Sequence, residues 1–128
     1  MKTIENHLSI HANALNLRGK RNKILASNIA NAATPHFKAR DIDFNAELQK
    51  KEKIGSISVK HDKHFPLLTK VRHNDVMFRE PLNPSLDGNT VEMAVEQMEF
   101  SENVVRYQTT LQFLTNKISG LMSAIKGE

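Results

Sequence analysis

The residues able to do chemistry in this chain are scattered rather than gathered. Six histidines raise a metal site first. His7 and His11 lie four apart, a spacing that puts both on one helical face and can ligate zinc. His61 and His64 fall in a loop-like stretch. No HExxH pattern accompanies them, and spacing fixes no acid and no third ligand, so no metal or other cofactor is assigned. Asp41 and Asp43 fall two apart in an extended segment, where spacing fixes no further catalytic group beside them, and they are not read as a general acid–base pair. Five glycines build neither a phosphate-cradling loop nor a GxSxG nucleophile elbow. Cysteine is absent, which removes disulfides and thiolate metal sites. The chain reads as a non-enzyme with no small-molecule substrate.

What the residues carry instead is periodicity, concentrated at the two ends. From Met93, the positions Gln97, Phe100, Val104, Tyr107, Leu111, Leu114, Ile118, Leu121 and Ile125 follow in alternating steps of four and three, and only Gln97 is not apolar. From Ile4 the same stepping visits Leu8, His11, Leu15, Arg18, Asn22, Leu25 and Ile29. Three–four spacing is the coiled-coil period, which keeps one apolar seam facing a partner helix. His11, on that seam, reads as a buried or interfacial histidine. Leu8, Leu15, Leu25 and Ile29 on one side, with Phe100, Val104, Tyr107, Leu111, Leu114, Ile118, Leu121 and Ile125 on the other, form the candidate assembly seam.

The expected fold is mainly α: long N- and C-terminal helices paired as an antiparallel coiled-coil-like hairpin, with a small irregular β-containing middle module. The 128 residues make one unit, with helices over 1–31 and 90–128 and the module over 32–89. Apolar residues at 39% and aromatics at 5% are lean for a small domain, whose surface-to-volume ratio already disfavours it. Part of the seam is therefore expected to be buried by neighbours rather than by this chain.

The first helix runs from about Thr3 to Asn31 and is weak, with Gly19 in mid-helix and Asn6, Asn13, Asn16, Asn22 and Asn28 competing for backbone groups. It stops at Thr34-Pro35, where proline lacks an amide hydrogen and disfavours the helical conformation before it. Asn28 and Asn31 share a face of the last turn, where carbonyls lack donors that an asparagine amide can supply. Phe37 is the first large apolar residue able to anchor the module. Asn28, Asn31, Thr34, Pro35 and Phe37 thus form a candidate elbow.

Within the module, residues 36–44 alternate as a short extended segment, Asn45 to Lys53 suits a polar helix, and Ser56–Lys60 and Val76–Phe78 are β-like. Phe37, Ile42, Phe44, Phe65, Leu67, Leu68 and Phe78 could make a minor core. The second long helix opens at Asp87-Gly88-Asn89-Thr90, where Asn89 and Glu92 have capping-box-like spacing. To about Lys126 it would span about 55 Å.

The net charge of +4 is unevenly spread: +4 over residues 1–31, +2 over 32–89 and −2 over 90–128. With the helices antiparallel and Asn31 level with Thr90, Arg18 falls near Asn103 and Lys23 near Met98. Arg18, Lys20, Arg21 and Lys23 would then face Glu92, Glu96, Glu99 and Glu102. Exposed pairs contribute only about 0–1 kcal/mol each, so such charges set register rather than stability. No aromatics interleave with the basic cluster, which argues against a nucleic-acid partner. The N-terminus lacks an uninterrupted apolar h-region and a small-residue cleavage site, and no apolar run is long enough to cross a membrane.

Residues 27–38, SNIANAATPHFK, resemble the SNIAN-x-x-TPGFK signature of bacterial flagellar axial proteins. Asp87-Gly88-Asn89-Thr90-Val91 resembles their DGN-x-V element, and Asn103-Val104-Val105-Arg106-Tyr107-Gln108 their N-x-x-x-Y-Q run. With Ala39-Arg40-Asp41-Ile42-Asp43-Phe44 and the short length, the chain is most similar to the proximal rod family of the basal body. The family usually has glycine where this chain has His36, so a positive φ would be imposed on a side chain.

The resemblance implies a structural rod subunit, exported by the flagellar type III apparatus without a cleaved signal peptide and stacked helically in the periplasm. Its partners would be copies of itself, other rod proteins, and the membrane ring and export gate at the rod base. A cytosolic helical adaptor, or a nucleic-acid-associated protein with a steep salt dependence of binding, is the alternative.

Overall fold

A computed structural model describes residues 2–53 and 76–127, with the side chains of 8–50 and 76–127. The element order is α1 (Lys2–Ala30), β1 (Arg40–Ile42), α2 (Phe44–Lys53), β2 (Val76–Phe78) and α3 (Met93–Lys126). The expected strand at Ser56–Lys60, the core residues Phe65, Leu67 and Leu68, and the histidines 61 and 64 lie outside the described residues, as does the side chain of His7.

The α1 and α3 helices pack against each other, and α1 also contacts α2 and β1. α1 ends as the Thr34-Pro35 dipeptide requires: its last hydrogen bonds shorten from Asn31 N–H to the Ser27 carbonyl into three-residue turns at Ala32 and Thr34. The strands pair antiparallel, with Arg40 opposite Phe78, Asp41 opposite Met77 and Ile42 opposite Val76. Asp43 starts α2, its carboxylate accepting the Ala46 N–H at 3.0 Å as a side-chain N-cap. Gly127 closes α3 at φ 76°, its N–H bonded to the Ser123 carbonyl.

Among the described residues the buried apolar side chains are few: Leu17, Leu25, Ala39 and Ile42. α1 contacts both α3 and the middle elements, so it serves neighbours on more than one face. Leu25 stands on the expected seam, whereas Leu17 does not. The Phe44 ring lies under the Arg18 guanidinium, 4.1 Å from ring centroid to Cζ, which lets a cation cover an aromatic at the α1–α2 contact.

Three expectations need correction. The last helix begins at Met93, not Thr90, and its N-cap is Glu92 with no side-chain cap hydrogen bond, so the Asn89–Glu92 capping box does not form. Glu92 instead accepts from the N–H groups of Leu82 and Asn83, while the Asn89 side chain is turned toward α1. Phe78 is 71% exposed and contributes nothing to a module core, because both faces of the short β2 strand lie open.

Candidate assembly seam and elbow

The two long helices meet in the expected antiparallel register. The Asn103 amide donates to the Arg18 carbonyl at 2.9 Å and to Asn22 Oδ1 at 2.8 Å. What is buried on α3 is polar: Glu96 and Asn103 are both fully inaccessible. Sequence reasoning placed the contact on the apolar seam and missed these two. The missing signal was that buried polar residues on α1 mark matching acceptors and donors on α3, information carried only by the pairing.

The α3 seam itself splits into two rows, the members of each seven residues apart. Phe100, Tyr107, Leu114 and Leu121 form the inward, less exposed row, each half-buried. Tyr107 packs beside Gly19 of α1: a Cβ there would stand 3.9 Å from the tyrosine ring, an ordinary van der Waals contact. Val104 is half-buried in the other row, but Leu111, Ile118 and Ile125 are exposed, by 43%, 46% and 80%. Met122 is exposed beside them, and Phe113 is exposed on the opposite side of the helix. Between Tyr107 and Ile125 the only charged residue is Lys117. On α1, Leu25 is fully buried and Leu8, Leu15 and Ile29 are half-buried.

The expected pairing of four basic with four acidic side chains is realised by one residue. Arg21 binds Glu99 through one 2.8 Å bond and Asp41 through two. Glu96 instead takes Arg79, at 2.9 Å, and the Asn28 amide, at 3.0 Å, and Glu102 pairs with Arg106 on its own helix. Arg79 reaches Asp41 with its other nitrogen. The result is a continuous ionic array running from α1 through β1 and the segment after β2 to α3. Arg79 was unassigned by sequence, since nothing local distinguishes it from a surface cation.

This array sets the ionisation of its members. Burial alone would raise the Asp41 pKa, but hydrogen bonds from Arg21, the Ile42 N–H and Arg79, with the Arg21 charge, hold it below the usual carboxylate range. The Asp41 hydrogen bond, opposed by burial, strengthens proton retention on Arg21. Arg18 is lowered by burial and by the charges of Arg106 and Arg21.

At the elbow, Asn28 does not cap the helix as expected. Its Oδ1 accepts the Arg40 N–H at 3.1 Å and its amide donates to the Arg40 carbonyl at 2.7 Å, so a side chain substitutes for a ladder strand beside β1. Asn31 donates to the Ser27 carbonyl at 2.8 Å and accepts from the Thr34 hydroxyl. Thr34 and Pro35 are exposed and Phe37 is half-buried. His36 stands at φ 60°, the left-handed conformation anticipated for this position. Asp87 is exposed, its carboxyl held below the usual range by the Ser85 hydroxyl and the Asn89 N–H. Gly88 adopts φ 72°, and Asn89 is 95% buried with 5% accessible.

A family model described as flagella basal body rod protein matches residues 8–38, the stretch that contains most of α1 and the elbow. A protein of Cereibacter sphaeroides named flagellar basal body rod protein FlgB is 56% identical over 128 residues, covering all of both chains. A protein of the same name from Yersinia enterocolitica is 43% identical over 131 residues, 96% of each chain. Another from Salmonella typhimurium is 41% identical over 128 residues, 94% of this chain and 93% of that one.

Proposed function

We propose, from the premise that this chain belongs to the FlgB family of flagellar basal body rod proteins, that it builds the proximal rod by burying the outward row of its α3 seam against neighbouring subunits. The chain is a structural subunit of the basal-body rod, not an enzyme, and it assembles with other rod proteins. The observation that carries the reading is the exposed row of Leu111, Ile118 and Ile125, on a helical stretch whose single charge is Lys117. Exposed large apolar residues along a nearly uncharged helix are poorly solvated alone and favour contact with like helices.

In this reading the inward row and the α1 seam hold the hairpin together, and the outward row joins subunits. The elbow at Asn28, Asn31, Thr34, Pro35 and Phe37 sets the angle of the middle residues to the helix pair. The turn at Asp87, Gly88 and Asn89 supports that angle. Torque passes through packed seams, making the subunit part of a drive shaft between motor and hook. Its place is the periplasmic base of the rod, beside the membrane ring and export gate, reached by type III export without a cleaved signal peptide. Fractionation tests the assignment: the chain is expected in detergent-resistant basal bodies, and its absence from purified, rod-containing basal bodies would refute it.

A further inference from the structure

The turn from Asp87 to Thr90 precedes α3 in the chain, yet most of its partners belong to the end of α1 and the segment after it. The Asn89 amide reaches three carbonyls, those of Asn31 at 3.0 Å, Ala32 at 2.9 Å and Thr34 at 2.9 Å. An asparagine amide has two hydrogens, so it is shared among these acceptors. They are carbonyls just beyond the end of α1; those of Asn31 and Thr34 also accept turn bonds from the Thr34 and Phe37 N–H groups, so Asn89 adds a second donor to the turns that finish the helix.

Around this contact the two segments are stitched by backbone bonds. His36 N–H donates to the Asp87 carbonyl at 3.0 Å, and Thr90 N–H to the Phe37 carbonyl at 3.0 Å. The Ala39 N–H donates to the Thr90 hydroxyl at 2.8 Å, and the Lys38 ammonium to the Gly88 carbonyl at 2.7 Å. His36 and Gly88, both at positive φ, face each other: a Cβ at Gly88 would lie 2.9 Å from His36 Nδ1. Each segment takes a conformation that the other accommodates.

We propose that the Asp87–Thr90 turn is the C-terminal cap of α1, supplied from nearly sixty residues downstream, and that the elbow and this turn order as one cooperative unit. Asn89 is the positioning residue of that unit. On the α3 side its Oδ1 accepts only the Val91 N–H, at 2.8 Å and two residues before the helix, whose N-cap is Glu92. The elbow angle is therefore set inside the subunit, by a clasp that exists before any neighbour docks.

The two roles separate by chemistry. Aspartate caps a helix N-terminus as well as asparagine does, but it has no amide hydrogen to offer three carbonyls. Amide hydrogen exchange on the full chain, comparing wild type with Asn89→Asp and Asn89→Ala, reads the difference. Both variants are expected to speed exchange at residues 31–39 at least tenfold. Residues 93–104 should keep their protection, because the side chains of Arg21, Asn22 and Asn28 still hold that part of α3. Three results would overturn the clasp: Asn89→Asp exchanging like wild type, acceleration confined to residues 91–97, or loss of protection throughout both helices.

Discussion

At the scale of single residues, the molecule is held by polar groups placed where apolar ones are scarce. Asp41 accepts from two arginines, and its folded pKa lies below its ordinary value near 3.8. A carboxylate depressed in the folded state stabilises the fold above its unfolded pKa, and that stabilisation is lost as pH falls toward the folded value. The melting temperature is therefore expected to hold from neutral pH to about 5 and to decline below about 4. Asp41→Asn should lower it at neutral pH and flatten the acid limb. Parallel melting–pH curves for the two proteins would show that Asp41 is not a determinant of acid stability.

The facing pair His36 and Gly88 gives a second test at this scale. A side chain at Gly88 meets both a left-handed backbone and the imidazole at 2.9 Å. Gly88→Ala should cost about 1–3 kcal/mol. His36→Gly removes the imidazole and the backbone penalty at position 36, so the cost of Gly88→Ala should shrink in that background. The remaining cost is the φ of residue 88. Additive losses in a denaturation double-mutant cycle would mean the two positions do not interact.

At the scale of elements, α3 is one helix in two environments. Its first half is fastened by Glu96, Glu99 and Asn103, while its second half carries one half-buried apolar row and another open to solvent. Ile118→Asp lies in the outward row, at a side chain already 46% exposed, so it should change monomer stability by less than about 0.5 kcal/mol. The same charge buried between subunits costs several kcal/mol, which should abolish incorporation into basal bodies. Leu121→Asp, in the inward row, should weaken the monomer as well. Chemical denaturation of the purified chain, beside a count of assembled basal bodies, separates the rows. Normal assembly of the Ile118 variant would move the subunit contact elsewhere.

At the scale of the whole molecule, the ionic array and the clasp concentrate order in one region and leave the far half of α3 lightly held. Dilute monomer should therefore show protected amides around residues 28–39 and 93–104 and fast exchange over 105–125. Strong protection over 105–125 would contradict this division. The elbow transmits the local geometry of that ordered region to the assembly. Asn31→Ala removes a bond to the Ser27 carbonyl and an acceptor for Thr34, and Pro35→Ala frees the exit direction. Both should impair motility more than Asn13→Ala or Asn16→Ala on the helix body. Equal defects at all four positions would reduce the elbow to an ordinary helix end.

Local chemistry alone was enough to read the two long helices, the stop at Thr34-Pro35, the polar α2 helix, the β1 and β2 segments and the antiparallel direction. Each follows from apolar period, proline geometry or charge distribution within a short window. The positive φ at His36 was legible through family resemblance, because a side chain there replaces the usual glycine. Tertiary structure decided which atoms satisfy which. Arg79 rather than the α1 cations neutralises Glu96, Asn28 imitates a strand beside Arg40, and Asn89 closes α1 instead of opening α3. A hydrogen-bonding side chain announces that it needs a partner, but spacing cannot say which element will bring that partner within reach. The same limit applies to the seam. Heptad period marked both rows of α3 alike, and only the packing of one straight helix against α1 could determine which row is covered and which remains open for a neighbour.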